Sequence, residues 1–563
     1  MLNLWVLQLG AAILTAISLG ACAPKLENVE PQGLESFERR VDAKGTLRES
    51  SGVAGQLPEN WFTRGPGKDG VEGVRAEQAY AELRIRTGVE PIVVAVVDSG
   101  VDITHEDLQG RLWVNEGEVP GNGLDDDQNG FVDDVHGWNF LGEVDDTTME
   151  VTRELVRLKK LKAEREAAGS QLSEAEAKLL AKVQEEVDAE RKDALETLDL
   201  LIPTREVLLN AYEGLKQEMG LPFAEVTLAK LQAFRTKTEA AEQARLQMVR
   251  VMTDKKISGI ARLDRVVGRM NDLLNFYLNE AFDPRAEKLG DDPSDLSQYK
   301  GYGNGDVAFG DASHGTHVSG IIGAVRGNGL GVDGVATDVR IMSVRAVPNG
   351  DEYDKDVANA IRYAVDNGAK LINMSFGKAY SPYKSGVDEA FQYAADHGVV
   401  VLHAAGNDAL DVDVNPRFPN PYRVESSQVI PHWITVGANS AFRDQRLPAA
   451  FTNYGQTTVD LFGPGVDLRS TVPGEKKYDT YSGTSMATPA VTGVAALVWS
   501  QFPGLSAQGL VQVLVDSTRK HLQLPVLLPG GTPKDRVAFS RLSVTGGVVD
   551  AYEALLRAGM QPK

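Results

Sequence analysis

Ile92 to Val97 is an unbroken run of β-branched and small apolar residues with no polar alternation. A strand with the same character on both faces must be covered on both, as a central parallel strand is between two helical layers. The run ends in Asp98-Ser99-Gly100. A carboxylate at the C-terminal end of such a strand lies in the crevice where open α/β sheets hold ligands. One short segment thus predicts both an architecture and a candidate functional aspartate.

Two further segments have the same character. Gly483-Thr484-Ser485-Met486-Ala487-Thr488-Pro489 places a serine in a glycine-flanked turn before a small-residue apolar helix, Met486 to Trp499. Free amides and the positive dipole end of a helix favour negative charge there. Taken alone, Ser485 reads better as a buried or capping serine. His314-Gly315-Thr316-His317 likewise opens a small-residue helix through Ile321-Ile322-Gly323. Asp, His and Ser, each where an element begins or ends, have the composition of a nucleophilic triad: the hydroxyl needs a base and the base needs an orienting carboxylate.

At these residues the chain resembles the subtilisin-like serine proteases. Asp98-Ser99-Gly100, His314-Gly315-Thr316-His317 and Gly483-Thr484-Ser485-Met486-Ala487 match that family's three active-site signatures in order, and Ala404-Ala405-Gly406-Asn407 matches a fourth. The resemblance implies an α/β fold, a doubly wound and mainly parallel sheet with helices on both faces. It implies Ser485 as nucleophile, His314 as base, Asp98 as orienting carboxylate and Asn407 as oxyanion donor. His317 is expected to pack behind His314. Ser375-Phe376-Gly377 matches the segment that pairs with substrate backbone, and Ala404, Ala405 and Gly406 form the opposite wall. Small residues there imply a roomy, apolar P1 pocket suited to large hydrophobic side chains. The substrates implied are polypeptides bound by strand addition.

Oxygen-bearing residues suggest calcium. Asp125, Asp127, Asn129, Phe131 (through its carbonyl), Asp133 and Asp134 alternate around Gly130 in the pattern hard cations need, against the simpler reading of an acidic surface turn. His136 stands at the twelfth position, so the segment is not an EF-hand. It resembles a calcium loop of the same family. Asp107 and Asn328 align with a second, stabilising calcium site of those proteases.

The 563 residues exceed one typical core. The expected divisions are a signal peptide over 1–21, a tether over 22–56, and protease segments over 57–144 and 301–563, with a helical insertion over 145–300 between them. The insertion carries a capping box, Ser173 with Glu176, ahead of an apolar face at Leu180, Val183, Val187, Ala194 and Leu198. Further helices are expected over about Thr204–Met219, Ala224–Asp254 and Ile257–Phe282, with Pro203 and Pro222 as breaks. Inert embellishment competes with a gating or docking role near the cleft.

A net charge of −21 argues against a nucleic-acid partner. The single cysteine, Cys22, excludes an internal disulfide. It follows an apolar stretch and Leu19-Gly20-Ala21, which resembles a bacterial lipobox, so an exported, lipid-anchored envelope protein is expected. Met1 to Gln8 lacks the usual Lys or Arg, so an uncleaved anchor remains the alternative. The competing function classes are a scaffold working through the insertion and an esterase. Intact Asp98, His314, Asn407 and Ser485 disfavour the first. Ala487, where an esterase elbow carries its second glycine, disfavours the other.

Overall fold

A computed structural model describes residues 57–563 except 425 and 427, together with the backbone of 46–47 and 55–56. The signal peptide, Cys22 and most of the tether lie outside the described residues. Two compact units are present, one spanning Val151–Phe282 and the other containing the remaining described residues.

In the larger unit, nine strands among the described residues form the main sheet. They are β1 Ile92–Asp98, β2 Gly137–Asn139, β3 Val339–Arg345, β4 Leu371–Met374, β5 Val400–Ala404, β6 Trp433–Asn439, β7 Leu461–Pro464, β8 Arg519–Lys520 and β9 Gly547–Val548. Their order is β8-β9-β7-β6-β5-β4-β1-β3-β2. Only the β8/β9 pair is antiparallel. The strand order changes direction beside β1, which sets the C-terminal end of β1 at the crevice of the sheet.

Four helices cover the two faces: α1 Ser313–Gly323, α2 Asp354–Asp366, α3 Lys384–Asp396 and α4 Thr484–Gln501. Alternate residues of β1 supply two separate cores. Val94 and Val96 pack in one core with Val318 and Ile321 of α1 and Val491 and Val494 of α4. Ala95 and Val97 pack in the other with Ile361 of α2 and Phe391 of α3. Each such side chain taken from water contributes about 1.5–3 kcal/mol, which is why β1 carries no polar face. The architecture is the α/β, doubly wound, mainly parallel sheet expected from sequence.

The smaller unit is helical. The capping box forms as expected, with the Ser173 side chain on the Glu176 amide and the Glu176 carboxylate on the Ser173 amide. The helix it opens runs Glu174–Glu213 straight through Pro203, so Pro203 is not a break. Interior proline costs about 3 kcal/mol. Burial of Leu198, Leu201, Thr204 and Leu208 on either side of it offsets that cost. The stretch 224–254 is divided where one helix was expected. Thr227 and Thr238 accept the Lys230 and Ala241 amides and start new helices, Leu228–Ala233 and Glu239–Asp254. The last helix is Ile260–Asp272, continued by a π-type turn at Leu273–Tyr277. Leu208, Leu231, Met248, Met252 and Ile260 share this unit's core.

Among the described residues no helix is long and apolar enough to cross a membrane.

Candidate active site

Asp98 closes β1 at the register position opposite Arg345, and its side chain is buried. Its Oδ1 takes the Ser99 amide at 2.8 Å and lies 2.7 Å from His314 Nδ1. His314 stands in the first turn of α1. Gly315 makes this approach possible, because a Cβ there would lie 2.1 Å from the Gly100 carbonyl oxygen and 3.2 Å from Asp98 Cβ.

Burial works to lower the basicity of His314. The Asp98 carboxylate, by charge and by hydrogen bond, outweighs it, and Asp311 adds to the effect, so the pKa lies above the ordinary imidazole value. A carboxylate on Nδ1 places the neutral ring's proton there and leaves Nε2 as the basic nitrogen. Among the described residues His314 Nε2 is buried without a hydrogen-bond partner.

His317 is arranged differently. Its Nε2 faces two carbonyls, Leu468 O at 3.1 Å and Asp479 O at 3.2 Å, and its ring stacks on Tyr481. Burial first, then the charge of His314, pushes its pKa down to about 3. A ring that is neutral and donating to main chain is a packing element behind His314.

Ser485 is the second residue of α4, and its side chain is buried. Its amide is among those a helix leaves without an internal acceptor. Pro489, one turn on, has no N–H, so the Ser485 carbonyl loses its helical donor. Ser375 Oγ donates to that carbonyl at 3.0 Å, and Ser485 Oγ donates to the Ser375 carbonyl at 3.0 Å. The proline thus opens a reciprocal pair of bonds between the serine helix and the segment following β4.

Asn407 follows β5 in the Gly406-Asn407 turn. Its Oδ1 accepts from the Thr484 amide at 2.8 Å and from Thr484 Oγ1 at 3.0 Å. The amide N–H can only donate, so the side-chain orientation is set chemically and Nδ2 is left as a donor on the other side.

Ser375, Phe376 and Gly377 continue beyond the end of β4, while Ala404 ends β5 and Ala405 and Gly406 follow it. The structure adds polar groups here that the small residues did not announce. Asp408, beside Asn407, pairs with Arg417 Nε at 3.1 Å. Buried His403 holds the Phe376 carbonyl. A buried histidine at the end of an apolar strand was the available sequence signal for the second of these. The Arg417 pairing is tertiary and had none.

In the acidic loop, Glu118, Asp125 and Asp127 each bring a carboxylate oxygen within 4.8 Å of the other two. Glu118 was not read from sequence, because it precedes the repeat. Loss of hydration, and then the charges of Asp134 and Asp127, raise its pKa above the ordinary value despite the Asp126 and Asp127 amides it accepts. Asn129 Oδ1 accepts the Phe131 amide, and Asp134 Oδ2 accepts from Asn129 and Tyr363. The Asp133 carboxylate turns the other way, onto the amides of Gly121, Asn122 and Gly123. Asp107 is buried, with its Oδ1 2.7 Å from Asn328 Nδ2 and its Oδ2 on the Val332 amide and the Tyr478 hydroxyl.

The thermophilic serine proteinase of Bacillus sp. (strain AK1) is 42% identical over 190 residues, 34% of this chain and 43% of that protein. Thermitase of Thermoactinomyces vulgaris is 38% identical over 208 residues, 37% of this chain and 67% of that protein. Subtilisin of Bacillus pumilus is 39% identical over 197 residues, 34% of this chain and 65% of that protein. The profile of the Subtilase family, Peptidase S8, matches residues 90–536, a span that starts before Asp98 and ends beyond Ser485. The chain belongs to the subtilase family.

Proposed function

We propose that the chain is a serine endopeptidase using Asp98, His314 and Ser485, with Asn407 as oxyanion donor. The observation that carries the reading is the 2.7 Å Asp98–His314 contact, which leaves Nε2 as the free basic nitrogen, and Ser485 at the entrance of α4 is the hydroxyl this reading pairs with it. Rotation of the Ser485 hydroxyl from the Ser375 carbonyl to Nε2 readies it for attack. As its oxygen bonds to the scissile carbonyl carbon, its proton passes to Nε2, and Asp98 stabilises the imidazolium. The negative oxygen that forms takes donors from Asn407 Nδ2 and the Ser485 amide. Nε2 then returns the proton to the leaving amine, and a water repeats the sequence to release the acid. A polypeptide substrate lies extended along Ser375–Gly377. A small fluorophosphonate tests the reading: it should label the intact protein and leave Ser485→Ala unlabelled, and failure to label the intact protein would reject it.

The acidic loop fits a hard divalent cation. Glu118, Asp125 and Asp127 offer converging oxygens, with Asn129, the Phe131 carbonyl and Asp134 adjoining, and they suit calcium better than softer metals. Asp107 and Asn328 form the smaller second candidate. Calcium supplies charge neutralisation and cross-linking of the loop, with no part in the chemistry. An ion at a hundred times its Kd stabilises the folded state by about 2.7 kcal/mol, so a chelator should lower Tm. Asp125→Asn with Asp127→Asn should remove most of that sensitivity. Equal Tm with calcium and with chelator rejects both sites.

The lipobox-like segment supports export and acylation at Cys22, and attachment of several acyl chains gives stable membrane anchoring. Cys22→Ser is expected to move the protein from the membrane to soluble or unprocessed fractions with peptide hydrolysis unchanged. Full membrane retention of that variant would favour an uncleaved anchor.

A further inference from the structure

Beyond Met374 the substrate-side segment leaves the sheet on both flanks. The β4/β1 register ends at Met374 opposite Val97, and the β4/β5 register ends at Met374 opposite His403. Ser375-Phe376-Gly377 is then held residue by residue. Ser375 exchanges bonds with Ser485. Lys378 exchanges main-chain bonds with Phe418. Between them the Phe376 carbonyl lies 2.9 Å from His403 Nε2. His403 is the last β5 residue on the β4 ladder, so its side chain makes the contact that the backbone no longer makes.

That one contact decides an orientation. The Phe376 carbonyl and the Gly377 N–H belong to the same planar trans peptide and point in opposite directions. With the carbonyl drawn onto His403, the Gly377 N–H points the other way, away from β5. Glycine at 377 leaves this peptide free to rotate at little cost, since it lacks the steric limits of other residues. A side chain cannot take over the restraint, because a Cβ at 377 would stand 3.1 Å from the Phe418 carbonyl oxygen and 3.6 Å from His403 Nε2.

The His403 ring is suited to this task. A carbonyl faces its Nε2, so that nitrogen carries the proton. The ring is 4% exposed, edge-on to Phe376 and tilted against Trp433. Burial pushes its pKa down to about 4, so it remains a neutral donor near neutral pH.

We propose that His403 is a positioning residue that holds the Phe376–Gly377 peptide plane so that the Gly377 N–H is presented to the main chain of an extended substrate. This rests on the endopeptidase reading. His403 touches neither the scissile bond nor the triad, so its contribution is to binding of extended peptides and is the same in ground and transition states.

The test uses the full chain and compares an extended peptide substrate with a small fluorophosphonate, which needs the serine but no pairing edge. His403→Leu, which cannot donate, is expected to raise KM for the extended peptide by about tenfold, the effect of a lost hydrogen bond near the upper end of its usual range. Its kcat should stay within about twofold and its fluorophosphonate labelling rate should not change, as expected when uniform binding is removed. His403→Gln, whose terminal amide reaches about as far as Nε2, should recover most of the lost affinity. His403→Asn, polar but too short, should behave like leucine and serves if the leucine variant fails to fold. An unchanged KM in the leucine or asparagine variant overturns the proposal, as does a glutamine variant no better than leucine. Failure of the unaltered protein to react with fluorophosphonate overturns the endopeptidase reading instead.

Discussion

Peptide hydrolysis is expected to fall by about 10⁶-fold in Ser485→Ala, a magnitude that belongs to the serine of subtilisin itself. The change removes the oxygen proposed to attack and leaves the surroundings nearly as they were. One hydrogen bond, Ser485 Oγ to the Ser375 carbonyl, is lost, while the reverse bond from Ser375 Oγ to the Ser485 carbonyl remains. The cost to stability is about 1 kcal/mol. Turnover of a chromogenic peptide and the melting temperature, measured on the same preparation, separate the two effects. Activity within a hundredfold of the intact protein would mean that another group is the nucleophile.

Asp98→Asn is expected to lower kcat by about 10⁴-fold, the loss that this change produces in a serine protease of unrelated fold. It should also move the acid limb of the pH profile. In the proposed mechanism the neutral imidazole is the base, so activity is expected above the pKa of His314 and is lost as pH falls through it. Burial alone lowers that pKa, and the carboxylate and its hydrogen bond raise it above the ordinary value. Without the carboxylate the raising contribution disappears, and the acid limb shifts to lower pH. The pH dependence of kcat/KM over the acid range measures this directly. A limb that stays in place or moves upward would exclude Asp98 as the group that sets the basicity of His314.

Features written in a single stretch of chain were legible in the sequence, and features made by distant stretches were not. β1 was readable because burial on two faces leaves a continuous apolar run, and its neighbours follow from the same logic. The turns carrying Asp98, His314, Asn407 and Ser485 were readable because each combines a reactive side chain with glycine or small residues at the end of an element. The Ser173–Glu176 capping box was readable as a local pair. Pro203 misled, since the penalty is local and the burial that offsets it is tertiary. Thr227 and Thr238 as helix starts were masked by helix-forming neighbours. Glu118 joins Asp125 and Asp127 across a turn, and Arg417 joins Asp408 across a loop, so no spacing rule reveals either. The apolar wall expected at Ala404 and Ala405 has this ion pair at the neighbouring turn for the same reason.

α4 has a consequence for how such a chain is made. All 18 of its residues, Thr484–Gln501, are buried, and the hydroxyls of Thr488 and Thr492 are turned back onto its own carbonyls. A helix apolar on every side has no wet face on which to wait, and it is stable only once the sheet on one side and α1 on another have enclosed it. The groups proposed for catalysis lie at 98, 314, 407 and 485, so they meet only through contacts of long sequence separation, which form late and slowly. A nascent or half-folded chain therefore holds its aspartate and histidine without a placed nucleophile. On the proposed reading, latency during synthesis follows from chain topology, and activity is expected only once the last part of the sheet has closed.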